Sequence, residues 1–104
     1  MIPLDEQMQF EDLWFGRATD KPFLVWFSAK WCKPCQRMVV EELEAAAATA
    51  GLPFYHCDIT VNKYTPGYCD VDRFPTFIKF QPNKIVDRIV NSNTAAVCAW
   101  IMNP

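Results

Sequence analysis

The run Phe23-Leu24-Val25-Trp26-Phe27-Ser28-Ala29-Lys30 empties straight into Trp31-Cys32-Lys33-Pro34-Cys35, and no other stretch constrains the fold as strongly. The apolar run predicts a buried strand, and the cysteines then fall in the first turn of the helix that follows it. Thiols at helical spacing i and i+3 share one face, close enough to form a disulfide with no backbone movement. The pattern is that of a redox pair delivered by a core strand.

Such a pair divides its labour. Attack on a disulfide needs a thiolate, and an ordinary thiol of pKa about 8.5 is only a few per cent ionised at neutral pH. A helix N-terminus offers Cys32 unpaired N–H groups and a positive dipole end, both of which favour the anion. Lys33 adds a positive charge beside it. Cys35, one turn deeper, is expected to be shielded and to displace the product from a mixed disulfide on Cys32. Trp31 supplies an apolar platform for a partner chain. A zinc site would need two further ligands, and His56 with Cys57 has the wrong spacing to supply them.

A chain of 104 residues reads as one domain, 1–104, and buries roughly 65% of its unfolded surface on folding. With 51% hydrophobic residues, 21% charged residues and a net charge of -2, it has no basic field for nucleic acid or an acidic membrane. The start, Met1-Ile2-Pro3-Leu4-Asp5-Glu6, lacks the features of a secretory signal, and no apolar run reaches spanning length. A cytoplasmic location is therefore expected. The cysteines number five, and Cys57, Cys69 and Cys98 read as free thiols of a reducing compartment.

In chain order, a short strand is expected within Met1 to Leu4. A helix capped by Asp5 should follow, carrying Phe10, Leu13 and Trp14 and ending near Gly16. After the core strand, a helix is expected from Lys33 to about Ala50, with Pro34 tolerated in its first turn and Gly51 stopping it. Phe54 to Ile59 reads as a second buried strand, and Tyr64 to Val71 as a short helix or turn. Phe77 to Phe80 and Ile85 to Val90 form a hairpin about Pro82-Asn83. Asn93 or Thr94 caps a last helix bearing Val97, Cys98, Trp100 and Ile101. Helices separating the early strands, then a hairpin and a helix, predict a three-layer α/β/α sandwich with a mixed central sheet.

Asp20-Lys21-Pro22, then Leu24-Val25 through Trp31-Cys32-Lys33-Pro34-Cys35, then Phe74-Pro75-Thr76-Phe77, resembles the thioredoxin family in order and spacing along the whole chain. The resemblance implies a thioredoxin fold with strand order 1-3-2-4-5 and a cis peptide between Phe74 and Pro75 facing the disulfide. It implies a protein-disulfide reductase, with Trp31, Lys33, Pro34, Phe74 and Pro75 shaping the substrate groove. It implies no cofactor beyond the redox-active Cys32–Cys35 disulfide, a thioredoxin reductase or equivalent as electron donor, and a monomer. The alternatives are a disulfide oxidase or isomerase, and a binding module whose cysteines are incidental.

Several positions depart from that family. Where it buries an aspartate that helps take the second thiol's proton, this chain has Trp26, a core residue whose indole N–H needs a partner if buried. The usual charged neighbour is His56, which shares a sheet face with Phe54 and Asp58 and is the possible proton acceptor for Cys35. Val40 stands where a helix-kinking proline is common, predicting a straighter long helix. Asn91-Ser92 replaces a docking-surface glycine, Phe74 is bulkier than the usual aliphatic, and Lys33 in place of glycine should make the couple somewhat more oxidising. Cys57 and Cys98 are expected in the core. Cys69 is expected to be the exposed, oxidisable thiol.

Overall fold

A computed structural model describes residues 1–104. The elements are β1 (Ile2–Pro3), α1 (Gln7–Trp14), β2 (Phe23–Ser28), α2 (Lys33–Gln36), α3 (Val40–Ala50), β3 (Phe54–Asp58), α4 (Tyr64–Tyr68), β4 (Thr76–Gln81), β5 (Lys84–Val90) and α5 (Thr94–Met102). The five strands form one sheet in the order β1-β3-β2-β4-β5, as the family resemblance implies. β2 runs parallel to β3 and antiparallel to β4, so the sheet is mixed. No helix is long and apolar enough to cross a membrane.

All six residues of β2 are buried because the strand has a neighbour on each side and a core on each face. Alternation sends Leu24 and Trp26 to one face, where they meet Leu43, Ala46 and Ala47 of α3 and Val97 and Ile101 of α5. It sends Phe23, Val25 and Phe27 to the other, against Phe10 and Leu13 of α1. Fully burying an apolar side chain contributes about 1.5–3 kcal/mol, so this strand does more than any other to hold the layers together.

The long helix expected from Lys33 to Ala50, and expected to run straighter with Val40 in place of a proline, is instead two helices broken just before Val40. α2 ends after one turn, and Val39 takes extended angles (φ -89°, ψ 97°) as the residue that starts α3. The Val39 N–H finds its acceptor across the layer in Thr94 Oγ1 at 3.1 Å. A tertiary partner outside the helix thus competes with the i−4 carbonyl, and two adjacent β-branched residues make the break inexpensive. Gly51, at φ 70°, closes α3 in the left-handed region. The first helix starts one residue later than expected: Glu6, not Asp5, precedes it, and Gln9 Oε1 accepts from the N–H groups of both.

At the far end of the sheet, α5 is pinned by Lys79 on β4. Its Nζ donates to the carbonyls of Trp100 and Asn103 and lies 4.6 Å above the Trp100 ring. The loop after β3 is held by Asn62, which is 2% exposed. Its Nδ2 donates to the Leu4 carbonyl and Thr65 Oγ1, and its Oδ1 accepts from the N–H groups of Tyr64 and Thr65. Truncation leaves buried backbone groups unpaired, so Asn62→Ala is expected to cost about 2–3 kcal/mol in urea unfolding. A loss well under about 1 kcal/mol would show that this network does not hold the loop.

Candidate active site

Cys32 and Cys35 are joined as a disulfide, Cα to Cα 5.3 Å, just beyond the end of β2. The connecting loop is tied down by the Cys32 N–H to Ala29 O at 3.0 Å and by Gln36 Nε2 to Lys30 O at 2.6 Å. Cys32 caps α2, and its Sγ accepts the Cys35 N–H at 3.3 Å. α2 is a single turn, so the donor that the fold sets beside Cys32 Sγ is this one local N–H and not the end of a long helix dipole. Pro34, in the first turn, has no N–H to leave unsatisfied there.

The two cysteines do not differ in overall exposure: Cys32 is 4% exposed and Cys35 5%. They differ in what surrounds them. Trp31, 66% exposed, stands beside Cys32, its ring meeting that of Phe74 edge-on at 5.7 Å. The Phe74–Pro75 peptide is cis, and Thr76 Oγ1 closes that turn by donating to the Arg73 carbonyl at 2.6 Å. Pro34, Phe74 and Pro75 line an outer groove with Val90, Asn91 and Ser92. Phe74 lies just ahead of the β4 pairing, which begins at Thr76 opposite Phe27. Lys33 is exposed beside Cys32.

Cys35 instead lines a pocket open to solvent on the other side of α2, with Trp26, Ser28, His56 and Asp58. Trp26 occupies the core as expected, stacked between Phe77 (5.7 Å, 9°) and Phe54 (6.5 Å, 18°). Its buried Nε1 has no partner in the protein. His56 and Phe54 do share a face with Asp58, and His56 Nε2 is hydrogen-bonded to Ser28 Oγ. Burial pulls the His56 pKa below its ordinary 6.5, opposed by Asp58 and Asp5. Sequence reasoning did not single out Ser28. Its signal was there: it is the one polar residue of the strand and lies on the same face as Trp26.

Cys69 is not the exposed thiol expected of it. It is 3% exposed, packed with Cys57, Val71 and Phe10 under α1, and its carbonyl accepts from Arg88. Cys98, expected in the core, is only half-buried. Cys57 is fully buried.

The thioredoxin family model matches residues 6–103. The chain belongs to the thioredoxin family. A thioredoxin of the sponge Geodia cydonium is 31% identical over 81 residues, covering 77% of this chain and 76% of that one. A Mycobacterium bovis thioredoxin is 36% identical over 81 residues, covering 76% and 69%. Among solved structures, Fasciola hepatica thioredoxin superposes with a TM-score of 0.81 at 26% identity, covering 97% of this chain and 96% of the other. With the Cys-X-X-Cys disulfide in place, the chain is a thiol–disulfide oxidoreductase.

Burial raises the thiols of Cys57 and Cys69 to about 12, helped by Asp58 and Asp5 at Cys57 and by Cys57 at Cys69, where Arg88 opposes. An unfolded thiol ionises at about 8.5, so between that and about 12 the unfolded chain binds fewer protons. The contribution of these thiols is complete below about pH 8 and is lost as pH rises towards 12. The urea midpoint should therefore fall between about pH 8 and pH 10.5, and fall less in a Cys57→Ala, Cys69→Ala double variant. An equal loss in both proteins would show that these thiols are not protected by the fold.

Proposed function

We propose that this thioredoxin-family chain reduces protein disulfides, with Cys32 as the attacking sulfur and Cys35 as the resolving one. The observation that carries the assignment is the asymmetry of surroundings: Cys32 Sγ accepts a backbone N–H beside the exposed Trp31, whereas Cys35 lines the separate polar pocket of Ser28, His56 and Asp58. The substrate approaches as an extended segment over Trp31, Lys33 and Pro34, and pairs with the backbone at Phe74, where Pro75 has no N–H to compete. The Phe74 ring, edge-on to Trp31, narrows that rim and selects small or flat side chains beside the substrate cysteine.

Thioredoxins are reduced in turn by thioredoxin reductase, and a flavin-dependent enzyme of that class is the electron donor proposed here. The redox disulfide is the only prosthetic chemistry required. Three cysteines left unpaired, Cys57, Cys69 and Cys98, support a reducing compartment such as the cytoplasm. A monomer suffices, since every group named in the cycle comes from one chain.

Insulin reduction in the presence of dithiothreitol tests the assignment. Wild-type protein should exceed the dithiol background, Cys32→Ser should fall to it, and pre-reduced Cys35→Ser mixed with insulin after removal of dithiothreitol should accumulate a mixed disulfide on Cys32, seen by intact mass. Wild-type activity at background would favour the binding-module reading, and an adduct trapped on Cys35 instead would reverse the two roles.

A further inference from the structure

Exchange through this pair requires the proton of Cys35 to leave, because a buried thiol with no acceptor is a slow nucleophile. The cavity that Cys35 lines has a volume of about 250 Å³, and its wall includes Trp26, Ser28, His56 and Asp58, with Val40 contributed by α3. Water occupies about 30 Å³ per molecule in the liquid, so several fit. The polar wall is organised by one hydrogen bond, between Ser28 Oγ and His56 Nε2. Register places it: Ser28 lies opposite Asp58 and Trp26 opposite His56, so the bond is a diagonal between neighbours on one face. The Trp26 ring lies 4.8 Å from the His56 ring.

We propose that this cavity is the proton exit of the resolving thiol, which gives its proton to His56 through the Ser28 hydroxyl and water held in the cavity. The proposal rests on Cys35 being the resolving sulfur. With a substrate sulfur joined to Cys32, the Cys35 S–H proton passes to water bonded at Ser28. Ser28 takes it up while handing its own hydroxyl proton to His56 Nε2, which becomes imidazolium. The Cys35 thiolate then attacks Cys32 Sγ. The Cys32–Cys35 bond forms, the bond from Cys32 to the substrate breaks, and the electron pair departs on the substrate thiolate. The protein dithiol is oxidised as the substrate disulfide is reduced, with no further reactant. His56 releases its proton to solvent past Lys30 and Gln36, which are exposed at the cavity mouth.

The charges around His56 fit both halves of this cycle. Burial keeps the imidazole neutral at neutral pH and therefore able to accept; Asp58 on β3 and Asp5 beyond β1 favour the imidazolium once it forms. Lys30, after β2, is the cation of the cavity wall, Cys35 is the titratable group from α2, and α3 presents only Val40.

A stopped-flow reaction with dithiobis(nitrobenzoate) separates the steps. Attack by Cys32 releases one coloured thiolate, resolution by Cys35 releases a second, and Cys35→Ser, which lacks the second phase, identifies each. In wild type the second phase should quicken with pH through the range in which His56 loses its proton. In His56→Gln it should be slower by about tenfold or more near pH 7, with that rise absent. Ser28→Ala should be slowed as well, and added imidazole should speed His56→Ala but not wild type. A second phase of wild-type rate and pH profile in His56→Gln or, should that variant prove unfolded, in Ser28→Ala overturns the proton exit alone. A wild-type protein with no first phase overturns the exchange assignment and the proton exit with it.

Discussion

Burial of β2 on both faces is the constraint on which everything else depends. Its odd and even residues serve two different cores, one under α1 and one under α3 and α5, so neither layer can shift without disturbing the strand. Because β2 is parallel to β3 and antiparallel to β4, its carboxyl end opens where the direction of the sheet changes. Open α/β sheets place their ligand sites at such ends. The disulfide lies there, and the Phe74–Pro75 turn reaches it because β4 begins opposite the last residues of β2.

Position 26 holds a tryptophan where the family resemblance implies an acid. An aromatic sandwich with Phe54 and Phe77 strengthens the core directly behind the sulfurs, with stacked pairs contributing about 0.5–1.5 kcal/mol beyond their burial. The same ring removes the one buried carboxylate the family would provide. Polar capacity survives on the rest of that face, in Ser28 at the end of β2 and in His56 and Asp58 on β3.

Much of this was legible in the residues. The apolar run pointed to β2 and the turn signals at Gly51 and Pro82-Asn83 to where elements end, while the strand order and the cis Phe74–Pro75 peptide followed only from the resemblance to the thioredoxin family. What escaped has a tertiary origin. Val39-Val40 only weakens the helical preference between Arg37 and Glu41, and the break there is set by Thr94 Oγ1, far away in sequence. Cys69 looked exposed because it follows Pro66-Gly67, yet the short α4 turns it under α1, with Arg88 holding its carbonyl from β5. Equal exposure of Cys32 and Cys35 was hidden for the same reason: spacing gives their relation to each other, and only packing gives their neighbours.

The central claim is that one turn of helix holds two unlike sulfurs. Fully reduced protein can be treated near neutral pH with substoichiometric iodoacetamide and the label located by peptide fragmentation. Cys32, with its local N–H donor and the open rim beside it, should carry at least about tenfold more label than Cys35. Equal labelling of the two, or preferential labelling of Cys35, would contradict the asymmetry from which the direction of exchange is derived.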